Sequence, residues 1–252
     1  MIIHLQNAAL TYQSPDGEVE ALRDITFGME EGAFCSIVGP SGCGKSTLLG
    51  AIAGLEPLSG GCVSVDGEPV TAPSPKVGLM PQQDQLFPWR SIWDNVTLGL
   101  SVQHQRTPEK LAHVRELLTR YGLADFADKQ PRQLSGGMRQ RCALIRTLAC
   151  EPRILLLDEP FSALDYQTRL AVSSDIYHII RQEGKTALLV THDISEAVSL
   201  SDQVVVLSRR PATVKTILDL APLRDLSPLE RRESAAFSTY FNSIWKELEL
   251  HV

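Results

Sequence analysis

Nine residues, Gly39-Pro40-Ser41-Gly42-Cys43-Gly44-Lys45-Ser46-Thr47, constrain this chain more than any other stretch. They fit the pattern G-x-x-x-x-G-K-[ST]. Before them runs a short apolar segment, Phe34 to Val38, and after them Thr47 to Leu55 carries leucine and isoleucine at helical spacing. A strand that feeds a glycine-rich loop opening a helix is the context in which this pattern binds phosphate. The glycines let backbone N–H groups turn inward around an anion. The helix N-terminus adds positive potential. Lys45 would then reach the β- and γ-phosphates of a nucleoside triphosphate, Ser46 would hold Mg²⁺, and Thr47 would add a hydrogen bond to phosphate. Cys43 places a thiol inside this loop, so alkylation is expected to inhibit through it.

A chain of 252 residues is long enough for one or two domains with a substantial core. A net charge of −6 argues against a mainly electrostatic nucleic-acid binder. The five cysteines, Cys35, Cys43, Cys62, Cys142 and Cys150, are odd in number and show no C-x-x-C spacing. That fits a reducing compartment and argues against a disulfide framework or a zinc site. No apolar run is long enough to span a membrane. Met1-Ile2-Ile3-His4 begins neither a basic region nor a hydrophobic signal stretch. The expectation is a chain kept in the cytoplasm and brought to a membrane, if at all, by another protein.

Taken in order, residues 2–12 and 19–29 read as strands around the turn Ser14-Pro15-Asp16-Gly17. Tyr12 ends the first strand, where its ring could stack on a purine or pack as an edge-strand tyrosine. Gly54 is placed to close the helix after the loop. Cys62–Val65 followed by Asp66-Gly67 reads as a strand and tight turn, and Val77–Met80 as another strand. From about 84 to 150 helical patterns dominate. Thr107-Pro108 starts a helix with the stripe Leu111, Val114, Leu117, Leu118 and Tyr121, ended by Gly122. A second helix begins near Ser135. The α/β pattern resumes with a strand at Ile154–Leu157 and a helix from about Tyr166 to Glu183, closed by Gly184. A strand at Thr186–Thr191 follows, and Asp193 with Glu196 resembles a capping box for a helix through Leu200. Strands are expected at Val204–Leu207 and Thr213–Leu218. Ser227-Pro228-Leu229-Glu230 opens a tail helix whose Phe237, Phe241, Ile244, Trp245 and Leu248 form one apolar face, read as packed on its own domain.

Two further stretches carry chemistry. Ile154-Leu155-Leu156-Leu157-Asp158-Glu159 is a buried-strand run that delivers two acids to its C-terminal end, where α/β proteins place ligands. Asp158 would hold Mg²⁺ through water, and Glu159 would act as general base on the water attacking the γ-phosphate. In Leu134-Ser135-Gly136-Gly137-Met138-Arg139-Gln140-Arg141, Ser135 can cap a helix and two glycines clear the space above its first turn. That makes a second anion site on the same chain. One phosphate tail needs one cradle, so two cradles point to a nucleotide held between two chains.

With these residues in view, the chain resembles the ATP-binding subunits of ABC transporters over nearly its whole length. Gly39–Thr47 matches Walker A, Ile154–Glu159 matches Walker B, and Leu134–Gln140 is similar to the signature motif, with methionine in its variable place. Ser162-Ala163-Leu164-Asp165 resembles the D-loop, His192 the switch histidine, Tyr12 the adenine-stacking aromatic, and Gln82, with Gln83 and Gln85 beside it, the Q-loop glutamine. The resemblance implies an α/β fold. It would have a P-loop NTPase (RecA-like) core at 1–83 and 151–218 with an N-terminal antiparallel β region. A helical subdomain at 84–150 and a helical tail at 219–252 complete the single ATP-binding domain.

It implies an ATPase whose two copies close head to tail around two ATP molecules. Each ATP, with its Mg²⁺, would touch Tyr12, Gly39–Thr47, Gln82, Asp158, Glu159 and His192 of one chain. Ser135, Gly136 and Gly137 would come from the other, and Asp165 would link the two sites. Ser46, Gln82 and Asp158 would be the metal's protein partners. It further implies membrane permease subunits as partners, a solute-binding protein outside the membrane as an indirect one, no nucleic acid, and a peripheral place on the cytoplasmic face of a bacterial-type membrane. Phe87-Pro88-Trp89 could seat a permease helix or pack inside the helical block.

Gln82–Val96 and Arg209-Arg210-Pro211 resemble the importers of nitrate, sulfonates and taurine, and a short tail after about residue 220 argues against the sugar-importer type. An importer of a polyamine or thiamine precursor stays open, as does a non-transport ATPase of the superfamily. Chromosome and repair ATPases would carry a long coiled coil between Walker A and signature, translation factors two such domains, and a small-molecule kinase would not need Leu134–Gln140.

Overall fold

Phe34–Val38 is buried at every position, as a strand with parallel neighbours on both sides requires. The computed structural model describes residues 1–15 and 17–249. Asp16, in the expected turn Ser14–Gly17, lies outside the described residues. In order come β1 (Ile3–Ser14), β2 (Gly17–Met29), β3 (Phe34–Val38), α1 (Lys45–Ile52), β4 (Gly60–Val65), β5 (Glu68–Pro69) and β6 (Val77–Met80). Then follow α2 (Ile92–Val96), α3 (Leu98–Val102), α4 (Pro108–Arg120), α5 (Gly136–Leu148), β7 (Ile154–Asp158) and α6 (Tyr166–Gln182). The remainder is β8 (Thr186–Thr191), α7 (Ile194–Leu200), β9 (Gln203–Leu207), β10 (Val214–Asp219), α8 (Pro228–Glu233) and α9 (Ala235–Glu249). The chain divides into two compact units, Met1–Ser74 with Ile180–Val252, and Pro75–Ile179.

In the first unit, β2, β1, β4 and β5 form an antiparallel sheet in that order. Asp66 and Gly67 both have positive φ, the geometry of the tight turn expected between β4 and β5. A second set of strands runs β10, β9, β3, β8, with β3 parallel to β8 and β9 and β10 antiparallel at the edge. Gly54 ends the region of α1 at φ 74°, and a Cβ there would fall 2.4 Å from the Ala72 carbonyl oxygen, so only glycine fits.

The tail packs on its own unit. Ile244 is buried in a cluster with Val38, Ala197, Val198, Val204 and Val206. The single tail helix read from the sequence is two helices. α8 has a complete capping box between Ser227 and Glu230, and the chain breaks at Ser234 before α9. There the Ser234 hydroxyl donates to the Arg231 carbonyl (2.7 Å) and accepts the Phe237 N–H (3.3 Å), an exchange that local side-chain bonding offers against a continuous helix.

In the second unit β6 and β7 pair in parallel, from Val77 opposite Ile154 to Met80 opposite Leu157. α4 begins at Pro108 with the Thr107 side chain accepting the Lys110 N–H, and Gly122 follows it at φ 71°. α2 and α3 are too short to show a periodic stripe. Arg139 and Arg146 sit two turns apart on α5 and point their guanidinium groups at one segment: Arg139 Nε to the Asp84 carboxylate (3.0 Å), Arg146 to the Asp84 and Gln85 carbonyls (2.8 Å each).

A buried ionic cluster ties the tail of the first unit to its strands. The Asp202 carboxylate accepts two hydrogen bonds from Arg181 (2.7 Å each) and one from the Phe34 N–H (2.9 Å). Fully buried Arg231 lies 3.6 Å from it and donates to the Ser201, Leu226 and Arg224 carbonyls at 2.6, 3.0 and 3.2 Å. Removing one member of such a cluster leaves buried groups uncompensated. Arg231→Ala is therefore expected to lower the unfolding free energy by about 3–5 kcal/mol in urea titrations. A loss below about 1 kcal/mol, the range of an exposed pair, would show that the tail is held by its apolar face alone.

Candidate functional site

The phosphate loop hangs from the carboxyl end of β3. Gly42 and Gly44 both lie in the left-handed region, at φ 72° and 123°, and a Cβ on Gly44 would press to 3.1 Å from the Ala21 carbonyl oxygen. Gly44 is also the residue before α1, so no side chain of its own fills the space over the helix's first turn. Lys45 is only 5% exposed. A buried ammonium needs partners, and its Nζ donates to the Gly39 carbonyl at 2.9 Å and the Pro40 carbonyl at 3.0 Å. The loop thus holds a cation over a ring of backbone, which suits a polyphosphate.

Tyr12 donates its hydroxyl to Thr47 Oγ1 at 3.2 Å, which ties the end of β1 to the head of α1. Tyr12 is 37% exposed. It pairs with Val19 of β2 and lies beyond Ala9, the last β1 residue paired with β4, so this end of β1 is a sheet edge. Parallel pairing of Val38 with Thr191 puts Gly39 and His192 side by side past the strand ends, and His192 is exposed there. The start of α7 is set by Asp193, whose carboxylate accepts the Ser195 and Glu196 N–H groups at 2.7 and 3.2 Å. The Thr191 hydroxyl adds a second tie: it donates to Glu196 (2.6 Å) and accepts the Asp193 N–H (3.0 Å).

In the second unit the register of β6 against β7 brings Gln82 and the acidic pair to one end. Met80 pairs with Leu157, so Gln82 and Asp158-Glu159 both follow the last paired residues. Glu159 is held at φ 43°, a left-handed backbone that costs a non-glycine residue about 1–3 kcal/mol. The Gln82 amide donates to the Ser162 hydroxyl at 3.3 Å, and that hydroxyl donates to the Glu159 carbonyl at 3.0 Å.

Ser135 caps α5, its side chain accepting the Met138 N–H at 3.3 Å. Gly136 and Gly137 have a packing duty that the pattern did not reveal: a Cβ on Gly136 would reach 3.0 Å from Leu164 and one on Gly137 2.5 Å from Val172. Asp165 is exposed and caps α6 by accepting the Thr168 N–H at 3.1 Å. Bonds from the Thr168 side chain and backbone hold its carboxyl below the usual carboxylate range.

Several contacts that shape the site carry no signal in the sequence. Ser162, read there only as the head of Ser162-Ala163-Leu164-Asp165, makes two of them. Asn95 makes others: fully buried, it accepts the Phe87 N–H at 2.7 Å and donates to the Phe87 and Ser91 carbonyls at 3.1 and 2.9 Å. This clamp presents Phe87 and Trp89, with ring centroids 5.1 Å apart, and Trp89 is 70% exposed. Arg146 had a faint signal, its seven-residue spacing from Arg139 on one helix face. Among the described residues no group of three or more His, Cys, Asp or Glu is placed to hold a metal by itself. Mg²⁺ bound with a nucleotide needs only one or two protein oxygens beside phosphates and water. The Ser46 hydroxyl at the head of α1 is an oxygen of that kind in the first unit, and the Asp158 carboxylate ending β7 is one in the second.

Residues 22–162 match the family model described as ABC transporter. The chain is 46% identical over 247 residues to an uncharacterized ABC transporter ATP-binding protein, YtlC, of Bacillus subtilis, covering 98% of this chain and 95% of that one. It is 45% identical over 205 residues to the aliphatic sulfonates import ATP-binding protein SsuB 2 of Agrobacterium fabrum, covering 81% and 77%. Among solved structures it is similar to a dimeric post-hydrolysis state of the ATP-binding cassette MJ0796 bound to ADP and Pi, with a TM-score of 0.73, 32% identity, and coverage of 86% of this chain and 98% of that one. These likenesses bear out the P-loop NTPase fold with antiparallel β region and helices. Among the described residues no helix is long and apolar enough to cross a membrane.

The thiol expectation changes with burial. Cys43 is buried, and desolvation pushes its thiol up, only partly offset by Lys45. Cys62 is exposed. Iodoacetamide at neutral pH should therefore label Cys62 first and leave ATP hydrolysis intact, as read by peptide mass mapping alongside turnover. Early labelling of Cys43 with parallel loss of activity would show that the loop opens to admit reagent.

Proposed function

We propose, from the premise that the chain belongs to the ABC transporter family and is one of its ATP-hydrolysing subunits, that it drives an importer of a small organic or inorganic anion of the sulfonate, nitrate or taurine kind. The observation that carries the importer reading is its identity of 45%, 35% and 38% to three aliphatic sulfonate import subunits. Two copies would close around two ATP molecules and turn that closure into motion of membrane permease subunits, at the cytoplasmic face of the membrane. A solute-binding protein on the other side would deliver the anion.

The residues divide the work. The loop Gly39–Gly44 and the Lys45 ammonium bind the β- and γ-phosphates, and Thr47 adds a hydroxyl at the head of α1. Tyr12 offers its ring face to the adenine, with its hydroxyl already anchored on Thr47. Ser46 and Asp158, with Gln82, would hold Mg²⁺, which when bound neutralises charge that develops on the transferring phosphoryl group. Glu159 takes a proton from the attacking water. His192 donates to the γ-phosphate and keeps the water in line. Ser135, Gly136 and Gly137, at the capped start of α5, close the nucleotide of the other copy, and Asp165 passes the state of one site to the next. The clamped aromatic pair Phe87 and Trp89 supports a permease contact at that segment.

Glu159→Gln keeps the size of the side chain and removes the base. Turnover should fall about 10²–10⁴-fold, with ATP binding retained in equilibrium titrations. Near-parental hydrolysis would reject Glu159 as the base. Lys45→Ala should instead abolish binding of ATP, and retained nanomolar-to-micromolar affinity would reject the loop as the phosphate cradle.

A further inference from the structure

Ser162 stands three residues after Glu159 and serves two partners at once. Its hydroxyl donates to the Glu159 carbonyl oxygen at 3.0 Å and receives the Gln82 amide N–H at 3.3 Å. Its backbone N–H donates to the same carbonyl at 3.2 Å. Glu159 therefore has its carbonyl clamped twice by one residue, just where its own backbone sits at φ 43°. A side chain bearing a Cβ leaves that left-handed region unless its surroundings hold it there. The clamp closes the turn from 159 to 162 and fixes the peptide unit that follows Glu159. The Gln82 contact then joins this turn to the segment following β6, across 80 residues of sequence.

We propose that Ser162 is a positioning residue for hydrolysis: its hydroxyl holds Glu159 in the conformation that aims its carboxylate, and it couples that conformation to the side chain of Gln82. The proposal rests on the reading of Glu159 as general base. It gives Gln82 a route to the base that does not run through a metal: displacement of the segment carrying Gln82 removes one partner of the Ser162 hydroxyl and frees it to turn away from the Glu159 carbonyl. Alanine at 162 keeps the backbone N–H bond and the half-buried site but loses both hydroxyl bonds. Threonine keeps the hydroxyl.

The test is steady-state ATP hydrolysis by the full chain, with affinity for a non-hydrolysable ATP analogue measured separately. Ser162→Ala should lower kcat about tenfold, as expected where a neutral hydrogen bond holds a reacting group, while analogue affinity stays within about twofold of the parent. Ser162→Thr should restore kcat. On a Glu159→Gln background, Ser162→Ala should cause no further loss, because the group it positions is gone. Parental kcat in Ser162→Ala, an equal defect in Ser162→Thr, or a further tenfold fall on the Glu159→Gln background would each overturn the positioning role while leaving Glu159 as base. Near-parental turnover in Glu159→Gln alone would overturn the base itself and the proposal with it.

Discussion

A buried ammonium facing two backbone carbonyls is the interaction on which the rest of this molecule turns. Inside the protein the Gly39 and Pro40 oxygens accept hydrogen bonds from the Lys45 Nζ in place of water. They can do so only because glycines let the loop double back, at φ values that residues with a Cβ avoid. The loop in turn is held at its root by β3, buried at all five positions between parallel β8 and β9. The same pairing carries His192 to the loop's side, and the Asp202–Arg181–Arg231 cluster fastens the start of β3. Core packing, tail docking and phosphate chemistry therefore share one support. That is the economy expected when a site must hold charge without rearranging.

The second unit is organised differently. Its candidate site residues are set by long-range polar contacts more than by a strand buried on both sides. Arg146 and Arg139 reach from α5 to Asp84 and Gln85, and burial pushes the Arg146 guanidinium below its usual range, with Asp84 opposing. Asn95 freezes the segment from Phe87 to Ser91. The helix that starts at the signature residues and the segment that starts at Gln82 are thus physically joined, through contacts that have to break or travel together. These half-buried contacts link helix and segment directly, which suits a part proposed to carry motion from nucleotide to permease.

What the sequence told in advance follows from the range of the interactions involved. β8 runs from Thr186 to Thr191 as expected, because six buried positions in a row leave a plain apolar run between turn signals. The loop, the Ser135 cap and the Thr107-Pro108 helix start were equally legible, since caps and turns are local chemistry. The contact that Ser162 makes was not: its partner Gln82 is 80 residues away, and no spacing rule links them. The break at Ser234 was hidden because the apolar stripe begins only at Phe237, after it, and no glycine or proline marks the boundary. The burial of Cys43 was not legible, because position in the loop says nothing of it. The glycines at 136 and 137 looked like room for an anion and also turn out to be room for Leu164 and Val172.

The central claim is that the loop of one copy and the capped helix start of another hold the same nucleotide. Sedimentation velocity on the Glu159→Gln chain, with and without Mg·ATP, tests it most directly. Mg·ATP should convert the single-chain species to one of twice its mass, and placing Ser135→Arg in the same background should prevent the conversion while ATP binding by the single chain persists. A species that stays at single-chain mass in saturating Mg·ATP, or a Ser135→Arg chain that pairs as well as its parent, would contradict the shared site.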